Sequence, residues 1–116
     1  MTLARLLEWQ WQGYPRYHGS RTNLLIHIVA VPLFLASNVA LVFALLRGAP
    51  WVALAAAGGM LVSLALQGRG HRIETVPPEP FSGPGQAVAR LFFEQWLTFP
   101  RFVLSGGWWR ALVSSR

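Results

Sequence analysis

The chain has 116 residues, 53% of them hydrophobic and only 12% charged, about half the charged share of an ordinary globular domain, and its mean hydropathy of +0.39 leaves too little polar surface for a small soluble fold. Ten arginines against four glutamates, with no lysine or aspartate, give a net charge of +6; the arginines stand singly, whereas a duplex-binding face needs clustered cations, so nucleic acid is excluded and anionic membrane lipid is the expected partner. The absence of cysteine excludes disulfides, thiolate metal sites and thiol catalysis, and the aliphatic and aromatic content excludes disorder.

In chain order, residues 1–13 read as an amphipathic helix at the membrane surface. Leu3, Leu6 and Leu7 share a face, Trp9 and Trp11 sit near the interface, and Gly13 and Pro15 end the helix. Residues 23–46 carry no formal charge and exceed the roughly 20 residues a helix needs to cross a hydrocarbon core. The stretch begins too late and runs too long for a cleaved signal peptide, and it lacks the charged region and small-residue cleavage site of one. A second apolar segment, 50–67, lies at the short end of the spanning range, and only Arg47-Gly48-Ala49 separates the two, so they read as a tight helical hairpin. Arg5, Arg16 and Arg21 precede the first span and Arg69 and Arg72 follow the second, against Arg47 alone in the loop. That asymmetry puts both termini on the cytoplasmic side of the membrane. The run Ala55-Ala56-Ala57-Gly58-Gly59 permits close helix approach, a face that also suits a partner helix or a homo-oligomer.

Val76-Pro77-Pro78-Glu79-Pro80 cannot continue a helix, because proline lacks the amide donor and restricts its predecessor; it reads as a rigid turn. A third helix is expected from Pro84 to Trp96 or Thr98, followed by a short apolar piece ended by Gly106-Gly107, with Pro100 opposing one unbroken helix. Residues 84–113 are thus expected as interfacial helices, with Arg90 and Glu94 a solvated pair and Trp96, Trp108 and Trp109 as anchors. Residues 1–116 together predict a single all-α membrane domain, two transmembrane helices in a hairpin with amphipathic or interfacial helices at either end.

Polar chemistry collects at one depth. His18 lies just before the first span, His27 about one turn inside it, and His71 just after the second, so a hairpin gathers three imidazoles distant in sequence at one membrane face. A histidine at the headgroup level is commonly only hydrogen-bonded, but an ionisable residue inside an apolar span, as His27 is, marks a functional candidate. Each histidine has a polar companion four residues before it: Tyr14, Asn23 and Gln67. Glu74 follows His71 by three, a spacing that puts both on one helix face and that carboxylate-bridged metal bundles use; a surface ion-pair face with Arg69 and Arg72 explains it equally well. Imidazole with carboxylate suits iron, zinc or manganese. His18 and His27 would diverge on one unbroken helix, so Gly19-Ser20 and a cap at Thr22 or Asn23 must interrupt it.

The pattern Tyr14-x-x-x-His18-x-x-x-x-Asn23-x-x-x-His27-x-x-x-x-Pro32, with a later Gly70-His71-x-x-Glu74 and a Pro-Phe loop, resembles the family of small membrane proteins that includes the yeast 2-hydroxy fatty acid dioxygenase. The resemblance runs from about Tyr14 to Trp108. It implies an iron(II)-dependent enzyme of fatty acid α-oxidation, which uses dioxygen to shorten a 2-hydroxy acyl chain by one carbon. Under it His18, His27 and His71 would be ligands to one Fe(II) ion rather than two, Glu74 a further ligand or a group supporting them, and Tyr14 and Asn23 supporting catalytic donors. The chain departs from the fungal enzyme in being shorter, in a C-terminal third that looks like a bacterial variant, and in having no fourth histidine. On this reading Arg21 or Arg72 would meet the substrate carboxylate while the acyl tail lies among the spans. Two other readings stand beside it: a non-enzymatic membrane subunit or scaffold with structural histidines, and haem held between His27 and His71.

Overall fold

The computed structural model describes residues 2–116, all of its regular structure helical. Helix α1 spans Leu3–Gly13 and is capped by Thr2, whose hydroxyl accepts the Arg5 amide at 3.2 Å. It ends where expected. The chain tightens into a 3-10 turn over Tyr14–Tyr17, where Pro15 forfeits only a donor that a first turn leaves unused, and then runs non-helically through His18–Ser20.

Helices α2, Arg21–Leu46, and α3, Pro50–Ile73, are about 39 and 36 Å long at 1.5 Å per residue. Both are long and apolar enough to cross a membrane, and only 28% and 17% of their most apolar windows is buried within the protein. The connection is tight, with Gly48 at φ +63°, a left-handed conformation that favours glycine. Two boundaries differ from the sequence reading. Helix α2 starts two residues earlier, with Ser20 rather than Thr22 or Asn23 at the cap and no hydrogen bond from the cap's own side chain. Helix α3 continues past residue 67 to Ile73, so Gly70 and His71 lie on the helix rather than beyond it.

The two long helices cross antiparallel at three close points. A Cβ on Gly59 would overlap Ser37, and one on Gly70 would overlap the Asn23 carboxamide. Between these levels the Ser63 hydroxyl donates to the Ala30 carbonyl. Small residues thus bring the backbones together, as in helix pairs held by packing rather than by exclusion of water.

The C-terminal third packs against this hairpin. Helix α4, Pro84–Phe93, runs without interruption through a π turn, Glu94–Thr98, into α5, Phe99–Leu104, so Pro100 does not divide the path as expected. Proline removes one amide donor and its ring collides with the carbonyl four residues back. The widened turn just before it, closed by the Phe99 amide on the Glu94 carbonyl, relieves that crowding without a break. Gly106, at φ +82°, then turns the chain into α6, Gly107–Val113. Tyr14, Leu24, Val31, Phe99 and Phe102 form the core where α2, α5 and the 3-10 turn meet. Trp108 belongs to this packing, its indole donating to the Leu24 carbonyl at 3.0 Å, and Trp96 donates to Asn38 at 3.0 Å. Trp109, by contrast, is well exposed.

Candidate metal centre

The non-helical link His18–Ser20 lets two histidines nine residues apart face the same point. His18 projects from the end of the 3-10 turn, His27 from the second turn of α2, and His71 from the last turn of α3. Their ring centroids form a near-equilateral triangle, 4.7 Å for His18–His27 and 4.9 Å for each pair with His71, with interplanar angles of 76–88°. Three imidazoles bound at about 2 Å to one ion would have centroids roughly 4.5 Å apart at right-angled coordination and roughly 5.2 Å apart at tetrahedral coordination. The observed triangle falls between these. The His27–His71 separation is shorter than haem ligation needs, since imidazoles on opposite faces of a macrocycle stand more than about 6 Å apart.

The protonation of two rings follows from their partners. His18 Nδ1 lies 2.8 Å from the Tyr14 carbonyl, and His27 Nδ1 lies 3.0 Å from the Asn23 carbonyl. A carbonyl only accepts, so both Nδ1 atoms carry the hydrogen and both Nε2 atoms present a lone pair. Those Nε2 atoms, with His71 Nδ1, are buried and have no hydrogen-bond partner. The companions four residues before His18 and His27 thus orient the rings through backbone carbonyls rather than side chains, the arrangement that fixes tautomer and direction at metal sites. Burial, reinforced by the neighbouring His27 and His71, holds His18 well below the ordinary histidine range, against the opposing pull of its bond to Tyr14.

The fourth donor is one the sequence reading assigned to solvent. Glu94, at the start of the π turn, places Oε2 3.7 Å from His18 Nε2 and 3.9 Å from His27 Nε2. Those distances are too long for hydrogen bonds. Donor atoms of His18, His27, His71 and Glu94 all lie within 4.8 Å of one another, a group that could hold a metal ion. The Tyr14 hydroxyl donates to Glu94 Oε2 at 2.9 Å, and its ring stacks on His18 at 3.9 Å between centroids. Burial pushes the Glu94 carboxyl up to about 7, with Tyr14 and Arg90 pulling the other way. Burial likewise raises the Tyr14 phenol well above its usual value, helped by the Glu94 charge and hydrogen bond. The unpartnered nitrogens of His18, His27 and His71 thus face the Glu94 carboxyl, an arrangement that a cation would satisfy.

Glu74 is not in this group. Helix α3 stops at Ile73 and Glu74 is extended, ψ 145°, so the three-residue spacing from His71 no longer sets a shared face. Its carboxylate accepts from the Gly19 amide at 3.0 Å, the Ser20 amide at 3.1 Å and Asn23 Nδ2 at 2.7 Å, capping the N-terminus of α2 in place of Ser20. Asn23 is held between that carboxylate and α3 and orients His27 through its own carbonyl, while Glu74 lines the cleft beside His71 without joining the donor group. The Gly70-His71-x-x-Glu74 motif thus divides into a close approach, a metal donor and a helix cap. Gln67 turns from His71 to Gln95.

Beside the centre lies a cleft of about 600 Å³, into which His18, His71, Tyr14 and Glu94 open. One wall is the Pro77–Phe81 segment, pinned by Arg90, whose guanidinium donates to the Glu79 and Pro80 carbonyls at 2.9 and 3.1 Å. It packs on the Phe81 and Trp9 rings, 4.4 and 4.9 Å from their centroids. Arg90 is therefore a clasp, not the solvated partner of Glu94. Arg72 lines the cleft; Arg21 does not, and its guanidinium meets Ser115. No protein-family model, curated protein or solved structure matches the chain.

Proposed function

We propose that the protein is a membrane-embedded iron(II) dioxygenase of the cytoplasmic face of a bacterial inner membrane, acting on 2-hydroxy fatty acids. The observation that carries this reading is the convergence of three imidazole nitrogens and one carboxylate oxygen beside a largely apolar cleft. Imidazole and carboxylate are the ligand set of non-haem iron oxygenases, and four donors around one gap suit one ion. The outward-facing apolar surface of α2 and α3 supports a place in the bilayer, and the arginine asymmetry supports termini on the cytoplasmic side.

Bound iron(II) supplies the activation of dioxygen, which reacts sluggishly with closed-shell organic molecules otherwise. The chain's own residues do the rest. His18 and His27 offer neutral nitrogens whose direction is fixed by the backbone. Tyr14 holds the Glu94 carboxylate in place through its hydroxyl. Arg72 meets the substrate carboxylate as it enters, and the apolar walls take the acyl tail, each buried methylene contributing about 0.8 kcal/mol. The overall change balances with dioxygen as a four-electron oxidant: the C1–C2 bond breaks, C2 becomes the new carboxyl, and C1 leaves as carbon dioxide with one water.

The test is elemental analysis of the full chain extracted anaerobically in mild detergent. Iron near one per chain is expected, lost in His27→Ala. On addition of dioxygen and a long-chain 2-hydroxy acid, an acid one carbon shorter is expected. Wild-type protein without stoichiometric transition metal would leave the scaffold reading in its place, and full occupancy in His27→Ala would remove the centre from these histidines.

A further inference from the structure

Helix α4 alone would not aim Glu94 at the histidines for good; something must hold the register of the π turn. On either side of Glu94 the chain is pinned by buried amides and a hydroxyl. Gln95 and Gln67, 0% and 4% exposed, donate to one another reciprocally at 2.7 and 2.8 Å, and Gln67 reaches Ser63 at 3.0 Å. One turn back and one turn forward, Gln10 grips both ends of the segment. Its Nε2 donates to the Arg90 carbonyl at 2.8 Å, and its Oε1 accepts from the Thr98 hydroxyl at 2.8 Å.

These contacts cost more than stability alone would justify. Two carboxamides taken into an apolar bundle forfeit their hydration, and a pair of well-packed apolar side chains would serve cohesion as well or better. What a reciprocal amide pair adds is a single permitted alignment, as a buried asparagine does in a coiled coil. A slip of one residue along the helix turns a side chain by about 100° and would carry Glu94 out of the centre.

We propose that Gln67, Gln95, Gln10 and Thr98 are positioning residues that lock the π turn so that Glu94 completes the metal centre. The inference rests on the metal-centre reading above, and its test separates the two. Co(II) alone serves as the probe, its affinity read by chelator competition and its ligand number by the intensity of its visible bands. The double variant Gln67→Leu/Gln95→Leu keeps its helical circular dichroism and thermal midpoint, yet binds Co(II) about tenfold more weakly with the spectrum of Glu94→Gln. Adding Glu94→Gln to that double variant produces no further loss. Thr98→Val, which removes only a hydroxyl, loses a few-fold by the same measure and covers the case in which the double variant fails to fold. Wild-type Co(II) affinity in the folded double variant, or a loss that adds in full to that of Glu94→Gln, would overturn the positioning role while leaving the centre intact. A wild-type chain that binds no Co(II) overturns both.

Discussion

At the scale of single residues, the two glutamates nearest the histidines separate by what surrounds them. Glu94 meets lone pairs; Glu74 meets amide hydrogens. Glu74→Gln is expected to leave metal stoichiometry unchanged while lowering stability by about 1–2 kcal/mol, through the weakened cap on α2, as measured by thermal unfolding in detergent beside elemental analysis. Glu94→Gln is expected to keep the fold and weaken cation binding at least tenfold. The same residue sets a pH dependence. In the ion-free fold Glu94 keeps its proton up to about 7, against an ordinary 4.5. Its ionisation therefore costs the fold stability as pH rises through that window. An incoming cation must displace the proton, so affinity rises with pH up to about 7 and levels off above it. Burial holds His18 well below the ordinary histidine range, so Glu94 is the group that sets this dependence. Chelator competition across the window checks this, and Glu94→Gln should flatten the curve.

At the scale of elements, the helical hairpin was legible because its signal is cumulative. Two dozen residues without a charge can bury their backbone polarity in lipid only as helices, and a short loop allows only an antiparallel return. That return gathers His18, His27 and His71, so three of the four donors could be read without coordinates. The fourth could not. Glu94 sits four residues after Arg90, a spacing ordinary on solvated helices, and only tertiary packing of the π turn against α1 and α3 turns it inward. Glu74 misled for the converse reason, since its spacing from His71 has meaning only while the helix lasts, and α3 ends one residue before it. Pro100 in an otherwise helical run was the one available hint of the π turn. The close approaches within the hairpin make a paired prediction. Gly70→Ala, whose Cβ would overlap Asn23, is expected to destabilise by about 2 kcal/mol, whereas Gly58→Ala, with open space around it, is neutral or gains up to about 1 kcal/mol. Equal midpoints for the two would contradict the crossing described.

At the scale of the whole molecule, placement in the bilayer makes a prediction that the cysteine-free sequence renders easy to check. Single substitutions Arg47→Cys, in the hairpin loop, and Ser114→Cys, near the far end, are expected to react with a membrane-impermeant maleimide from opposite sides of oriented vesicles. Labelling of both from one side would place the hairpin outside the membrane.

The four donors come from four separate stretches of chain: the turn after α1, the start of α2, the end of α3 and the π turn. A cation shared among them is a cross-link that no covalent bond in this protein provides. Its grip adds to the resistance of every stretch at once, by an amount that grows with the logarithm of free ion over dissociation constant. Lifetime against proteolysis of the Pro77–Phe81 wall should therefore track metal supply, and scarcity of the ion would be felt as turnover of the protein.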